Sequence, residues 1–396
     1  MRSYWRFQRH FAQVIRAAFF VLTAAGLSNT CGAQPAQPTT VSDSAVKVGG
    51  LDVITLTRKA TGHGKKREFL SVTLFPGRGM NVFQVTAMIP GKGEVQLLES
   101  PTVAEAASLL TGTGRDKFGA LSVSFGGAFF VPYGSRIFGK LSADGQSITT
   151  QWEGHTLTLP ANYQGKISST GLIRETQVGE LHTQQTPDGE IQSGVIHAGN
   201  FGGHWISDTD VHFKITLSRD AVEVSVTAIN VGNEAEPMGL GWHPYAAIRS
   251  GDRSQARLHL PTAMYAEADK SEVVTGKLLP VKGTPYDFTA PAGAPLDAGF
   301  FANFSKLDFA HGPADAWLSD PKMNYCLHIR VLSPEVKTMS VLAPVNRPLV
   351  AIEPQFNFPD PWGQKWQGMD TGLVTLGPGK SVAFNVRLEL SSPVTP

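Results

Sequence analysis

The sequence predicts an all-β protein built from stacked antiparallel sheets, and three observations favour this class. Glycine (41 residues) and proline (26 residues) together make up about a sixth of the 396-residue chain, which is typical of a fold with many turns. Several segments alternate apolar and polar side chains with a period of two. Segments with helical periodicity are rare, so we expect strand pairing to build the core.

The first 33 residues have the features of a secretory signal peptide. Four arginines precede an apolar run at residues 17–27, and small residues follow at Cys31 and Ala33. The apolar run is too short to span a bilayer. We therefore expect cleavage after residue 33, a periplasmic or secreted location, and no stable membrane insertion after cleavage. The loss of four arginines and no acid lowers the formal net charge from +1 to −3.

Cys31 leaves lipid anchoring as an alternative fate of the N-terminus, although the preceding Ser-Asn-Thr differs from the usual Leu-Ala-Gly type of lipobox. Cleavage after Ala33 leaves Cys326 as the single cysteine, so no intrachain disulfide is expected. The low net charge gives no reason to expect a nucleic-acid partner or an anionic membrane surface. The sequence does not indicate an oligomeric state.

The remaining chain reads in order as a leader, one short helix and many strands. Residues 34–46 are rich in Pro, Thr, Ser and Gln and predict a flexible leader, and residues 47–392 then form one domain. Thr102 and Glu105 form a capping box that predicts a helix running to Leu110, which Gly112 terminates.

Later segments predict half-buried strands joined by tight turns. Alternation is clearest at residues 213–217, 222–226 and 382–390. The dipeptides Asp144-Gly145 and Asp188-Gly189 and the Gly-Pro-Gly sequence at residues 377–379 predict turns.

Two segments 110 residues apart contain groups that can transfer a proton. In GLGWHPY, at residues 239–245, His243 precedes Pro244, which favours extended geometry and tends to end a strand. In LVAIEPQ, at residues 349–355, Glu353 interrupts an apolar run typical of a buried strand. A buried carboxylate there is costly unless it is paired, and burial raises its pKa toward the range of a general base. The alternatives are a His243 bonded to a buried carbonyl and a structural ion pair between Glu353 and Arg347.

Arg136 follows an apolar segment at residues 125–132, and its planar guanidinium is suited to hydroxyls, carboxylates or phosphate. The alternative is a surface arginine. His197, His204 and Asp208 are close in sequence, but their spacing matches no metal site, so no metal is expected. The sequence contains no phosphate-binding loop in a strand–loop–helix context and no G-x-S-x-G nucleophile motif.

Taken in order, these segments resemble the aldose 1-epimerase (galactose mutarotase) family over roughly residues 47–392. The resemblance depends on an ordered set of motifs rather than on any one of them. The set comprises GG at 126–127, SRI at 135–137, Asn230, HPY at 243–245, GTPYDF at 283–288, Asp297, IEP at 352–354 and LGPGK at 376–380.

The resemblance implies a galactose mutarotase-like supersandwich, a large antiparallel β-sandwich with few short helices. It implies that Glu353 is the base that removes the proton from the C1 hydroxyl of a sugar. His243 is then the acid that protonates the ring oxygen, and Arg136 and Asp297 hold sugar hydroxyls. No cofactor is expected, because both steps are proton transfers between side chains and substrate.

The sequence departs from the family pattern at two positions. Thr170 stands where family members often have the histidine of a His-Gly pair, and Ser135 stands where asparagine is usual. The first change weakens ring-oxygen protonation or substrate binding, or it indicates a different sugar, unless His155 or His197 replaces the missing side chain. Residues 175–205 are also longer than in compact members.

The predicted function is therefore an exported isomerase that interconverts the α and β anomers of a free aldose. The alternative is a non-catalytic carbohydrate-binding protein on the same fold, which Thr170 favours and which the presence of both His243 and Glu353 disfavours. A polysaccharide lyase needs a group that neutralises a uronate, and only Arg136 is available for that. A sugar-phosphate epimerase is disfavoured by export and by the lack of an evident basic cluster.

Overall fold

The computed structural model describes residues 46–269 and 273–394, and the predicted signal peptide and nearly all of the leader lie outside these ranges. The strands, in chain order, are β1 (Lys47–Val48), β2 (Leu51–Asp52), β3 (Ile54–Thr57), β4 (Glu68–Phe75), β5 (Asn81–Ile89), β6 (Gly93–Gln96), β7 (Gly127–Phe130), β8 (Arg136–Ile137), β9 (Lys140–Leu141), β10 (Ser147–Trp152), β11 (His155–Pro160), β12 (Ser168–Ser169), β13 (Gly179–Thr186), β14 (Gly189–Gly199), β15 (Thr209–Leu217), β16 (Ala221–Asn230), β17 (Glu236–Met238), β18 (Gly241–Ala247), β19 (Arg257–His259), β20 (Thr262–Ala268), β21 (Val274–Pro280), β22 (Ala294–Pro295), β23 (Phe300–Leu307), β24 (Ala314–Asp320), β25 (Tyr325–Val331), β26 (Thr338–Ala343), β27 (Leu349–Gln355), β28 (Val374–Leu376) and β29 (Ser381–Ser391). The helical elements among the described residues are the α-helix α1 (Val103–Leu109) and short 3₁₀ turns at Pro76–Arg78, Gly114–Gly119, Ser122–Ser124, Pro321–Met323 and Gln364–Trp366.

Two large sheets make up the architecture, so the predicted all-β sandwich class is confirmed. The nine-stranded sheet has the order β13-β14-β15-β16-β29-β25-β24-β19-β22. The eleven-stranded sheet has the order β21-β20-β23-β26-β27-β18-β7-β5-β4-β3, with β6 added beside β5. The pairings described within both sheets are antiparallel. Contacts place the described residues 46–267 and 274–394 in one compact unit.

The main core lies between the two sheets. Phe129 of β7 contacts Phe213 of β15 with ring centroids 5.5 Å apart, which joins one sheet to the other. Phe129 also stacks on the buried ring of Trp242 in β18. Because successive side chains of a strand point to opposite faces, the residues beside Phe129 and Trp242 face away from this core.

The periodic segments form strands as predicted. Residues 213–217 lie in β15, 222–226 in β16 and 382–390 in β29, and β15 and β16 alternate buried and more exposed side chains. The predicted helix is also confirmed. Thr102 Oγ1 accepts from the Glu105 backbone N–H at 3.2 Å, and the Glu105 carboxylate accepts from the Thr102 backbone N–H at 2.8 Å. No helix within the described ranges is long and apolar enough to cross a membrane.

A smaller core covers the outer face of β4 and β5. Phe75 and Phe83 stack with ring centroids 4.1 Å apart, and Ala106 and Leu110 of the α1 segment pack against them. The chain between β6 and β7 thus forms a wall on the face of the eleven-stranded sheet that is turned away from the main core. The candidate site lies on this same face.

Candidate active site

The two segments singled out by their chemistry lie on adjacent strands. β18 pairs with β27, with Gly241 opposite Gln355 and Tyr245 opposite Ala351. Both strands are buried along their whole length, as the apolar run before Glu353 predicts. Periodicity alone does not reveal this pairing, because it joins residues more than 100 positions apart.

His243 and Glu353 project from the same face of the eleven-stranded sheet. Trp242 and Ile352, which precede them on each strand, belong to the main core. His243 and Glu353 therefore point away from that core. Their cross-strand neighbours on this face are Ala128 of β7, opposite His243, and Ser340 of β26, opposite Glu353.

The prediction that Pro244 ends the strand is wrong. β18 continues through Pro244 to Ala247, with Pro244 paired to Gly127 of β7. The ladder to β27 is instead interrupted between Gly241 and Tyr245. Because proline has no amide proton, it removes ladder bonds without forcing the extended chain to turn. This interruption lies where His243 and Glu353 approach each other.

The imidazole of His243 and the carboxylate of Glu353 are in direct contact. His243 Nε2 lies 3.2 Å from Glu353 Oε1. Only 8% of His243 and 6% of Glu353 is exposed to solvent. His243 Nδ1 is buried and has no hydrogen-bond partner within the described part of the chain. The pair is thus largely shielded from solvent, and Nδ1 of His243 is left without a partner among the described residues.

Burial shifts the pKa values of the two groups in opposite directions. Desolvation raises the pKa of Glu353 to about 8, and the positive charge of Arg136 opposes this increase. Desolvation lowers the pKa of His243 to about 4, and the charge of Arg174 lowers it further. Between these two values the pair holds one proton and has no net charge. A group that can give a proton and a group that can accept one are therefore present together over the neutral pH range.

Aromatic rings hold the imidazole in place. Phe130 contacts the His243 ring edge-on, with centroids 5.6 Å apart, and Tyr245 lies 4.8 Å from it at an interplanar angle of 55°. Tyr245 is itself buried, and desolvation, followed by the nearby charge of Glu353, raises its pKa. These rings restrict rotation of His243 and supply an apolar surface beside the pair.

Arg136 is half-buried at the start of β8, and two rings flank its guanidinium. The guanidinium carbon lies 4.8 Å from the centroid of Tyr163 and 5.1 Å from the centroid of Phe301. Arg136 Nη2 also donates to Tyr163 Oη at 3.3 Å. The effect of its charge on the pKa of Glu353 places Arg136 near the His243–Glu353 pair. Stacking of this kind orients the planar fork of the guanidinium.

Asp297 is placed differently from the other three predicted site residues. It is exposed and follows β22, a strand at the edge of the nine-stranded sheet, whereas His243 and Glu353 lie in the other sheet. The contacts described for His243, Glu353 and Arg136 do not include Asp297. Of the four predicted residues, His243 and Glu353 are thus in direct contact, and Arg136 is close enough for its charge to affect the pKa of Glu353.

The two residues that depart from the family pattern adjoin Arg136. Ser169 pairs with Arg136 between β12 and β8, and the next residue, Thr170, donates its backbone N–H to the carbonyl oxygen of Ser135 at 2.7 Å. The hydroxyl oxygen of Thr170 is buried without a partner within the described ranges.

Neither histidine suggested as a replacement contacts the pair. His155 is exposed at the β10–β11 turn and stacks on Trp152. His197 lies on β14 of the other sheet, where its two ring nitrogens contact Asp210 at 2.8 Å and Glu180 at 3.0 Å. Among the described residues, no group of three or more His, Cys, Asp or Glu side chains could hold a metal ion.

Sequence reasoning missed a buried chain of polar side chains beside Glu353. Gln355, two residues further along the same face of β27, donates to Ser340 Oγ at 2.6 Å, and Ser340 Oγ donates to Asn303 Oδ1 at 2.6 Å. All three residues are buried. Side chains two residues apart on a strand share a face, so the sequence already indicated that Gln355 lies beside Glu353.

Comparisons with known proteins place this arrangement in a family. The family model described as aldose 1-epimerase matches residues 95–389. No curated protein matches the sequence. Solved structures that resemble the fold include a galactose mutarotase-like protein from Clostridium acetobutylicum, with 16% identity and a TM-score of 0.68 over 86% of this chain and 98% of that chain.

Two further structures show the same fold. The GalM/aldose epimerase homologue from C. elegans has 16% identity and a TM-score of 0.64 over 86% of this chain and 99% of that one. The galactose 1-epimerase from Lactobacillus acidophilus has 14% identity and a TM-score of 0.60 over 87% of this chain and 99% of that one. The family model spans most of the chain. The chain therefore belongs to the aldose 1-epimerase family, a family of isomerases that act on small sugars.

Proposed function

We propose that this protein is an exported aldose 1-epimerase that interconverts the α and β anomers of a free aldose. The observation that carries the proposal is the 3.2 Å contact between His243 Nε2 and Glu353 Oε1, two side chains that are both buried. Mutarotation needs one proton removed from the C1 hydroxyl and one delivered to the ring oxygen. A buried imidazole–carboxylate pair that shares one proton matches this requirement.

The proposed reaction conserves protons at every step. The Glu353 carboxylate accepts the proton of the C1 hydroxyl, while the protonated His243 imidazole donates its proton to the ring oxygen. The bond between C1 and the ring oxygen breaks as the C1 carbonyl forms, giving the open-chain aldehyde. Rotation about the C1–C2 bond presents the other face of the carbonyl. The reverse proton transfers then close the ring as the other anomer and restore both side chains.

The assignment of Glu353 as the base is supported by its neighbours. Arg136 favours the charged carboxylate form of Glu353, and the proton that leaves Glu353 can move to His243 Nε2 across their direct contact. The transfer converts a neutral pair into an ion pair within the same site, so the site as a whole gains no charge. Substrate oxygen atoms then replace the contact between the two side chains.

Arg136 and Asp297 are proposed to hold sugar hydroxyls. The guanidinium of Arg136 lies beside two rings, Tyr163 and Phe301, that offer flat apolar surfaces to the C–H face of a sugar. For Asp297 the support is the motif order alone, because its side chain is exposed beyond β22.

The test is a mutarotation assay with freshly dissolved α-D-glucose and α-D-galactose, followed by polarimetry or by NMR exchange. We expect Glu353→Gln to lower the rate about 10²- to 10⁴-fold, the usual contribution of a general base. The matched control is Glu236→Gln, since Glu236 is also a buried carboxyl whose pKa burial raises to about 8. Full activity in Glu353→Gln, or equal losses in both variants, would contradict the assignment.

Export is proposed from residues 1–33, which lie outside the described residues. The test is the N-terminus of protein recovered from the periplasm or the medium. A mature chain that begins at Gln34 supports cleavage by signal peptidase. A lipid-modified chain that begins at Cys31 supports anchoring instead, and an uncleaved chain retained in the cytoplasm contradicts export.

A further inference from the structure

A buried guanidinium near the site has no part in the proton transfers. Arg174 lies between β12 and β13, and only 4% of it is exposed. Its Nε and Nη2 atoms are buried and have no hydrogen-bond partner within the described part of the chain. A buried charge of this kind is destabilising unless another group supplies acceptors. The unpaired N–H groups of Arg174 therefore point to a ligand that carries acceptor oxygens.

Backbone contacts place the Arg174 segment beside the His243–Glu353 pair. The Leu172 N–H donates to the carbonyl oxygen of Val131 at 2.7 Å, so the segment runs alongside the chain that leaves β7. Phe130, the preceding residue on β7, contacts the His243 ring at 5.6 Å. The charge of Arg174 also reaches His243, because it contributes to the lowered pKa of that imidazole. Arg174 thus belongs to the wall of the site on the His243 side.

The charged groups around Arg174 leave its Nε and Nη2 without an acceptor among the described residues. Arg78 is equally buried, at 3% exposure, and its Nη2 pairs with Asp116 Oδ2 at 2.9 Å. Asp116 also accepts two backbone N–H groups, so its oxygens are already engaged. Arg78 Nε and Nη1 likewise have no hydrogen-bond partner in the described ranges. Asp116 and the exposed Glu175 both act on Arg174 by charge, but neither carboxylate is bonded to its Nε or Nη2.

We propose that Arg174 receives an anionic group of the sugar, so that the preferred substrate is an aldose bearing a carboxylate or a phosphate. This inference rests on the proposed function and names its substrate class. The planar fork of a guanidinium pairs with two oxygens of either group, and the pairing is strong in a site shielded from water. The sequence alone offered only Arg136 for such a role, because Arg174 lies in a segment without a recognisable basic motif.

The experiment compares anomer exchange rates for neutral and anionic sugars by NMR. The substrates are D-glucose, D-galactose, D-glucuronate, D-galacturonate and D-glucose 6-phosphate. We expect kcat/KM to be about tenfold or more higher for an anionic sugar than for its neutral counterpart, the effect of one hydrogen bond to a charged group. In Arg174→Gln we expect this ratio to fall to about one. Preference for the uronates or for the phosphate ester identifies which anion the site accepts.

Two further measurements test the anion site even if Arg174→Gln folds poorly. Arg174→Lys keeps the charge but loses the fork, and we expect a ratio between those of the wild type and the glutamine variant. Inorganic phosphate should inhibit the wild type in competition with the sugar. Equal kcat/KM for neutral and anionic sugars in the wild type overturns the inference, as does a ratio that Arg174→Gln leaves unchanged.

A binding measurement separates this inference from the proposed function. Calorimetric titration of glucuronate and of glucose 6-phosphate into wild type and Arg174→Gln reports binding without turnover. Binding that depends on Arg174, with no accelerated mutarotation of any sugar, supports the anion site and contradicts the epimerase activity. Accelerated mutarotation of neutral sugars without any binding of anionic sugars supports the activity and contradicts the anion site.

Discussion

Thr170 and Ser135 are joined by a backbone hydrogen bond, and both have left-handed backbone conformations. The Thr170 N–H donates to the Ser135 carbonyl oxygen at 2.7 Å, and φ is 59° at Thr170 and 54° at Ser135. Residues other than glycine seldom adopt this region, although asparagine and histidine do so more readily than most. The two positions where this sequence departs from the family pattern are therefore two positions with the same backbone requirement. Threonine suits it poorly, because its β-branched side chain crowds the backbone.

The strain at Thr170 predicts a gain in stability when it is relieved. We expect Thr170→Asn to raise the free energy of unfolding by about 1 kcal/mol, because asparagine tolerates the left-handed conformation better. Denaturant unfolding followed by fluorescence gives this value. The control is Thr156→Asn on β11, an exposed strand position where asparagine should be neutral or slightly destabilising. A clear loss of stability in Thr170→Asn would contradict backbone strain as the dominant cost at this position.

The opposite pKa shifts of His243 and Glu353 predict a bell-shaped pH dependence. We expect kcat/KM to be level between about pH 4, the pKa of His243, and about pH 8, the pKa of Glu353, and to fall on both sides. Below this range the pair holds two protons and lacks a base, and above it the pair holds none and lacks an acid. The apparent values describe the pair as a unit. Polarimetric rates corrected for spontaneous mutarotation test this, and a rate that does not fall on the alkaline side contradicts the shared proton.

Substitution of Arg136 should move the pH at which kcat/KM falls on the alkaline side, and the charge of Arg136 gives the direction. Its charge lowers the pKa of Glu353, so Arg136→Met should raise that pKa further and shift the alkaline fall of kcat/KM to higher pH. Arg136→Lys keeps a positive charge and should leave the limit closer to that of the wild type, while both variants raise KM by losing the oriented fork. The pH–rate profiles of the three proteins decide this. A limit that moves to lower pH in Arg136→Met would mean that Glu353 is not the group that titrates there.

The buried carboxyl of Glu236 should make the stability of the protein depend on pH, independently of the His243–Glu353 pair. It is fully buried on β17, both carboxyl oxygens contact Thr209 Oγ1, and burial raises its pKa to about 8. Because the folded pKa lies above the unfolded value, stability is retained below about pH 4.5 and lost as the pH rises to about 8. Glu236→Gln removes this titration. The free energy of unfolding of the variant should therefore exceed that of the wild type by an amount that grows across this pH range to roughly 3 to 5 kcal/mol.

The measurement for Glu236 is the free energy of unfolding of both proteins between about pH 5 and about pH 9. The expected sign is a difference that increases with pH and then levels off. A difference that stays constant over the range would show that Glu236 ionises equally in the folded and unfolded chains.

Local patterns in the sequence predicted local structure well. The alternating residues 213–217, 222–226 and 382–390 are strands, and the Thr102–Glu105 capping box begins a helix. In each case the cause of the structure lies within a few residues. The two-sheet architecture was predicted from the family resemblance, because no single segment specifies it.

Non-local contacts were beyond the reach of sequence patterns. Pro244 signals the end of a strand, yet it pairs with Gly127 of β7, and the pairing of β18 with β27 resumes at Tyr245. Arg174 has the sequence setting of a loop residue, and only the packing of distant segments buries it. Asp297 matched the motif order but lies exposed beyond an edge strand. Burial of charge results from the assembled fold, and spacing along the chain does not encode it.

The position of β29 has a consequence for biosynthesis. Ser381–Ser391 lies between β16 and β25 in the interior of the nine-stranded sheet and pairs with both. Before these residues are synthesised, β16 and β25 each have one edge without its partner strand. The nine-stranded sheet can therefore close only after residues 381–391 have left the ribosome, and until then its unpaired edges remain accessible to chaperones.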